Sequence, residues 1–446
     1  MLRSRRGAGA CPIAASFSRE AQHMAERSIG WHHGIRLLAL SAILLAAGQA
    51  GWAENWPRFR GRDGSGVAPE QGIPTSWKVG DFAWVVELPG EGHGQPVIWD
   101  QHLFVTTATD DGLVRSLICL HAETGELRWS RSMGFNTHKK HKKNSYASTT
   151  PATDGERVYV TFADNERYCL AAYDFAGELL WRVWLGPFVS QHGVGASPVV
   201  FEDLVIVAND QDGPSSIVAY DRRDGRLVWS TLRDFREASY ATPLIIEPAG
   251  TKPQLIVLSG ATGLNSLDPW TGAVNWRSEP LPKRTVASPA YACGLVLATC
   301  GQGGKGDLLI GVDPLKVDAN GIAPIQFQRE RTLPYVPTII GYDDHLYLWN
   351  DNGIVMCVDP KTDRTIWQER VGGNYSGSPI CIGGKLYCIE ESGQVAVVDA
   401  SPTFKFHGMS ELGDPSHSTP SVANGRLYLR SFHKLACLTA PKSTAK

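Results

Sequence analysis

Residues 196–229 read ASPVVFEDLVIVANDQDGPSSIVAYDRRDGRLVW, and the reading of this stretch decides the fold. It breaks into four short apolar runs. Ser197-Pro198-Val199-Val200 opens the first, Leu204 to Ala208 is the second, and Ile217 to Tyr220 the third. Arg226 to Trp229 follows as a fourth after the turn Asp221-Arg222-Arg223-Asp224-Gly225. Runs this short, rich in Val and Ile and divided by Gly and Asp, specify antiparallel hairpins rather than helices. One such sheet cannot cover both of its own faces, so copies must stack on one another.

The copies are present. A Pro near the start of the unit recurs at Pro96, Pro151, Pro198, Pro243, Pro289, Pro337, Pro379 and Pro420, in steps of 55, 47, 45, 46, 48, 42 and 41 residues. The closing half recurs as Thr124-Gly125 to Trp129, Ala176-Gly177 to Trp181, Asp224-Gly225 to Trp229, Thr271-Gly272 to Trp276 and Thr362-Asp363 to Trp367. Gly supplies the positive φ of a tight hairpin, and the Trp four residues later falls on the outermost strand. Units five and seven lack this Trp, and their outer strands are expected to end at Phe327 and Phe404. A period of about 40–50 residues with four strands per unit is that of a β-propeller blade.

The eighth unit stops after its third strand, at Leu435-Ala436-Cys437-Leu438. An unpartnered strand with its own Trp, Phe82 to Leu88 around Trp84, precedes the first unit. The expectation is a single all-β, eight-bladed propeller over 82–440, with the N-terminal strand completing the last blade and removing a free edge.

With Ala219 to Trp229 reading A-x-D-x-x-T-G-x-x-x-W apart from Asp224, the pattern resembles the pyrroloquinoline quinone (PQQ)-like repeat β-propeller family. Leu120 to Trp129, Leu267 to Trp276 and Val358 to Trp367 carry it less completely. The likeness covers roughly residues 56–440. Trp56 to Gly66, WPRFRGRDGSG, is similar to the start of an exported bacterial subgroup related to the outer-membrane assembly lipoprotein propeller. The family includes quinoprotein dehydrogenases, so the resemblance implies either a binding platform or a PQQ-dependent oxidoreductase acting on alcohols or sugars, with PQQ and Ca²⁺ as cofactors. The dehydrogenases place adjacent cysteines against the quinone. No Cys-Cys pair and no Cys-x-x-Cys-His stands in this sequence.

The remaining composition is that of an ordinary globular chain, with 446 residues, 43% hydrophobic and 20% charged. A formal charge of −2 argues against nucleic-acid binding by broad electrostatics. Residues 1–53 read as a signal peptide: Arg27, His32, His33 and Arg36 precede the apolar run Leu37 to Ala47, and Gly51-Trp52-Ala53 offers a cleavage site. Met24 is a candidate true start. That apolar run is short for a membrane span, so a periplasmic or secreted monomer is expected, with 54–81 an irregular strap and 441–446 a tail.

The step of 55 residues holds an insertion. His138, Lys139, Lys140, His141, Lys142 and Lys143 form the most basic patch of the chain, just before Tyr146. A solvated loop, an anion-recognition loop and an HxxH metal pair are all open at this level. Cys119, Cys357 and Cys437 align with Ala219 and read as small core residues. Cys293/Cys300 and Cys381/Cys388 are each seven residues apart across a hairpin, where a disulfide is chemically permissible.

In a propeller the segment entering each inner strand lies at one mouth of the central channel. His93, Tyr146, His192, Tyr240, Arg284, Tyr335, Tyr375 and His417 each stand two to six positions before an opening Pro. Such a ring suits a peptide, a glycan or another anionic ligand through stacking and hydrogen bonds. Trp84, Trp129, Trp181, Trp229, Trp276 and Trp367 read as structural. No spacing identifies a catalytic set, and the expectation is a non-catalytic binding or assembly platform with no cofactor.

Overall fold

A computed structural model describes residues 55–440. The expected signal peptide, including Met24, and the expected tail lie outside the described residues. The described chain forms eight sheets, each built on four antiparallel strands, arranged as the blades of an eight-bladed β-propeller; seven are simple meanders and the eighth borrows its outer strand from the N-terminal side. Blade three, the stretch that opened the analysis, runs Val199–Phe201, Leu204–Asn209, Ser215–Asp221 and Leu227–Arg233 from the axis outward. Its second strand is buried at all six positions, because neighbouring blades cover both faces. Its outermost strand is mostly exposed and buries Trp229.

Register explains the repeated Gly and Trp. Trp229 pairs with Ala219, Trp129 with Cys119, Trp367 with Cys357 and Trp84 with Cys437, so a small side chain always faces the indole. Each indole then reaches the following blade. A Cβ on Gly177 would lie 2.7 Å from the Trp129 ring, and one on Gly225 2.7 Å from the Trp181 ring. Trp129 and Trp181 donate their indole N–H to the carbonyls of Phe175 and Arg222, at 2.8 and 3.0 Å. The turn glycine is therefore fixed twice, by positive φ and by the ring above it.

The ends join as the sequence implies. Trp84–Glu87 pairs antiparallel with Lys434–Thr439 and forms the outer strand of blade eight. Upstream of it, residues 55–68 cross the end of the channel opposite the ligand-facing mouth. Trp56 bridges Ile98 on the inner strand of blade one, and Val67–Ala68 pairs in parallel with Cys381 and Ile382 on blade seven. Between these anchors Arg60, 1% exposed, enters the bore and donates to the carbonyls of Gly64, Ile339 and Thr338 at 3.2, 2.9 and 3.4 Å.

Two local expectations are corrected, and the two cysteine pairs left open are resolved. Phe327 does occupy the Trp position of blade five, opposite Gly311, but in blade seven that position is Gly408. Phe404 lies before that strand and packs on Trp367 instead, with ring centres 5.0 Å apart. In blade six the inner strand starts at Ile340, and Thr338 rather than the residue before Pro337 occupies the position of Ser197. All eight described cysteines are free. Cys381 faces Leu386 rather than Cys388, and Cys300 lies along its strand away from Cys293 in the turn, so neither pair can bridge.

Candidate binding site

The inner strands leave a cavity of about 720 Å³ on the axis, floored by Phe59 of the N-terminal segment. Its wall is built by one repeated contact. The backbone amide of Thr150 donates to the Ser197 hydroxyl at 2.9 Å, Ser197 to Thr242 at 3.0 Å, and Thr242 to Ser288 at 2.9 Å. Ser288 continues to Thr338 at 3.1 Å, Thr338 to Ser378 at 3.0 Å, and Ser378 to Thr419 at 3.0 Å. Gln95 holds the eighth place. Its amide donates to Thr150 at 2.9 Å, and its side-chain oxygen accepts from the Arg60 amide at 2.8 Å. In six blades the Ser or Thr before the opening Pro, and in blade six Thr338 just after it, is thus an acceptor that stitches one blade to the one before it.

Above this wall lie six of the eight expected mouth residues: His93, His192, Tyr240, Arg284, Tyr335 and His417. Tyr146 and Tyr375 are not among the lining. Tyr146 turns outward over Gly112, takes the Arg115 guanidinium 5.1 Å above its ring, and donates to the His138 carbonyl at 2.7 Å. Tyr375 is fully buried against Trp349, with ring centres 5.2 Å apart. Offset from the Pro does not decide this, since Tyr146 and Arg284 both stand five residues before theirs and only Arg284 lines the cavity; the path of each loop sets which way its side chain turns. Of the basic loop, His141, Lys142 and Lys143 reach the cavity, whereas His138, Lys139 and Lys140 do not line it.

Two charge clusters face each other across the mouth. On one side Arg284 pairs with Glu237 at 2.9 Å and donates to a His192 ring nitrogen at 3.1 Å. That geometry requires an unprotonated imidazole, and burial together with the Arg284 charge holds His192 down at about 4. On the other side Glu391 accepts from Lys143 and from the Ser376 hydroxyl, both at 2.6 Å. Burial pushes the Glu391 carboxyl up, but these two bonds outweigh it and leave it below its ordinary value. His417 lies 4.0 Å from Glu391 and is held at about 4 by burial and by His93 beside it. Here the serine bonds to the carboxylate directly, so the imidazole does not stand between them as nucleophile activation requires.

Asp351 is the one carboxylate that lines the cavity among the described residues. Its oxygens accept the backbone amides of Tyr335 and Val336, at 2.7 and 3.3 Å. Ca²⁺ takes about 6–8 oxygen ligands, commonly several carboxylates. A single, already engaged carboxylate beside Lys142, Lys143 and Arg284 does not supply that set, and none of the described cysteines lines the cavity. These residues do not fit a calcium-held quinone. The mouth offers instead aromatic faces, neutral imidazoles, hydroxyls and cationic groups converging on one axis, which suits recognition of a ligand.

Six of the eight residues expected at the mouth line the cavity, and the hydroxyl wall and Asp351 join them from outside that expectation. The signal that could have found the wall is the Ser or Thr directly before the opening Pro in six of the eight repeats.

A family model described as outer membrane protein assembly factor BamB matches residues 40–175 and 166–401. No curated protein sequence was found to match the chain. Among solved structures, BamB from Moraxella catarrhalis is 16% identical with a TM-score of 0.56, covering 80% of this chain and 99% of that one. Quinohemoprotein alcohol dehydrogenase from Comamonas testosteroni is 13% identical with a TM-score of 0.62, covering 88% and 81%. Saccharomyces cerevisiae Sqt1 is 11% identical with a TM-score of 0.58, covering 79% and 97%. Likeness at these identities is likeness of fold.

Proposed function

Because the chain belongs to the family described as outer membrane protein assembly factor BamB, we propose that it is an exported β-propeller that binds a partner at its mouth and performs no chemical step there. The observation that carries this reading is the mouth itself. Six polar or aromatic side chains from six different blades converge on one 720 Å³ cavity, in which Ser376 is committed to Glu391 and Asp351 to backbone amides. Recognition needs such convergence, and the one close pair of a lining histidine with a carboxylate among the described residues, His93 with Glu91 at 3.1 Å, has no hydroxyl or thiol bonded to it.

The expected partner is a protein of the cell envelope, with a glycan or another anionic ligand as the alternatives. Export by cleavage after Ala53 and delivery to the periplasm or beyond belong to the same proposal, as does a monomeric state. No helix among the described residues is long and apolar enough to cross a membrane.

The test is a pull-down from envelope extract with the protein and with His192→Ala, Tyr240→Ala and His417→Ala combined. Loss of a specific partner with the fold intact supports the platform reading. Retention of every partner overturns the mouth as its site. The competing quinoprotein reading is checked by titrating the protein with PQQ and Ca²⁺ while following thermal melting. A ligand held by the folded state must raise the melting temperature, so a saturable one-to-one shift would favour the oxidoreductase.

A further inference from the structure

The hydroxyl wall has an asymmetry in its hydrogen bonds. The oxygens of Ser197, Thr242, Ser288, Thr338, Ser378 and Thr419 each accept a backbone amide from the preceding blade, and Thr150 accepts from Gln95. Among the described residues none of these seven hydroxyls donates to a protein acceptor. A hydroxyl oxygen carries one proton besides its lone pairs. With the lone-pair side fixed by an amide behind it, that proton is available to the bore. All seven residues line the cavity. The floor of the site is therefore a ring of seven hydroxyls, each with one lone pair taken by an amide and its proton free to donate.

The Arg60 guanidinium lies next to this ring, 3.4 Å from the Thr338 carbonyl, buried among the backbone carbonyls that take its N–H groups. Among the described residues no carboxylate forms an ion pair with it, so its positive charge stands behind the floor without lining the cavity. Asp351 is the opposing charge on the lining, and the Tyr335 and Val336 amides hold it. Hydroxyl dipoles with a buried cation behind them favour an anion at the floor. Toward the rim Lys143 and Arg284 line the same cavity.

Resting on the binding-platform reading, we propose that the bore is a carboxylate subsite that takes the free C-terminal carboxylate of a partner's extended polypeptide end. The carboxylate oxygens, which only accept, would accept hydrogen bonds from the hydroxyls whose protons have no protein acceptor. The preceding residues of the peptide would rise between Tyr240, Tyr335 and His417 toward the rim. The site thus reads a chain terminus rather than an internal segment. Phe59 closes the floor, and an uninterrupted chain cannot thread past it.

The probes are trialanine as the free acid, the same tripeptide with an amidated C-terminus, and trigalacturonate, each titrated calorimetrically into the protein. Because charge-assisted hydrogen bonds to a carboxylate are replaced by neutral ones in the amide, the free acid is expected to bind at least about tenfold tighter. Lys143→Gln with Arg284→Gln, two rim changes away from the blade stitching, is expected to weaken the free acid more than the amide. Thr242→Val removes one ring donor and Thr242→Ser restores it, so affinity should fall and return. Equal affinity for acid and amide, or no binding of either while the triple mouth variant still loses its envelope partner, overturns the carboxylate subsite and leaves the platform standing. Trigalacturonate binding without peptide binding overturns the peptide terminus in favour of an acidic glycan. No binding of any probe, with every partner retained by the triple variant, removes both readings.

Discussion

The backbone amide of Ser197 in blade three donates to the hydroxyl of Thr242 in blade four at 3.0 Å, and the same bond recurs from blade to blade around the axis. This ring of seven such bonds, completed at Gln95 by a contact to the Pro420 carbonyl, does two things with one side chain. It satisfies a buried amide that the inner strand leaves unpaired, and it turns a row of hydroxyl protons inward. Both consequences can be measured separately.

The first concerns stability. Thr242→Val keeps the shape but leaves the Ser197 amide buried without an acceptor, which costs about 1–3 kcal/mol. Thr242→Ser keeps the acceptor and loses one methyl, and should stay within about 1 kcal/mol of the parent. Urea unfolding of the two variants checks this. Equal losses would mean that the methyl, not the stitch, carries the site.

A second prediction follows from the indole that each blade lays on the next. Trp181→Ala removes a large buried side chain and is expected to cost about 3–5 kcal/mol. Gly225→Ala places a methyl 2.7 Å from that ring at φ +73, adding about 1–2 kcal/mol of backbone strain to the clash. In the double variant the clash disappears while the strain remains. The two losses should therefore sum to less than their parts in a double-mutant cycle.

These two relationships also show what was readable in the chain. The Gly and Trp are four residues apart within one repeat, so their roles as turn and outer strand were legible from spacing alone. Their contact joins the Trp of one blade to the Gly of the next, about 40–50 residues later, and spacing within a repeat is silent on it. The closing strand was legible because Trp84 stood outside any complete repeat. Tyr375 shows the limit at the mouth. It precedes its Pro at the same kind of distance as Tyr240, yet it fills the core against Trp349, because a loop has no period to fix which way a side chain turns. Nothing in the spacing of the repeat singles out Asp351. Its proximity to the axis depends on the loop after the second strand of blade six folding over the inner strand, a tertiary fact.

A third prediction tests ring closure. Trp84 contributes the outer strand of blade eight and packs toward Tyr428, with ring centres 6.1 Å apart. Trp84→Asp sets a charge against this face and should release the closing strand. The freed edge of Lys434–Thr439 would then template association between molecules. Light scattering should report oligomers and limited proteolysis should cut within 69–83. A monomer with unchanged protease resistance would show that the last blade closes without its Trp.

The last prediction uses Asp351, the cavity's own carboxylate. Burial raises its carboxyl from an ordinary 3.8 to about 6, against the pull of the Tyr335 and Val336 amides and the nearby Lys143 charge. A folded value above the unfolded one means that the folded protein holds an extra proton between about pH 4 and 6. Stability is therefore penalised above pH 6, and the penalty is relieved as pH falls through 6 toward 3.8, by roughly 3 kcal/mol for a shift of this size. His192 and His417, held at about 4, keep their charge state down to pH 5. The same proton removes the lining carboxylate's negative charge from a bore that is otherwise donor-rich. Affinity for a carboxylate ligand should accordingly rise as pH is lowered from 7 to 5, with a midpoint near 6 in the free protein. Asp351→Asn should flatten both profiles, in urea unfolding and in calorimetric titration of trialanine. A pH-dependent affinity that survives this substitution would assign the titration to another group and separate Asp351 from the ligand site.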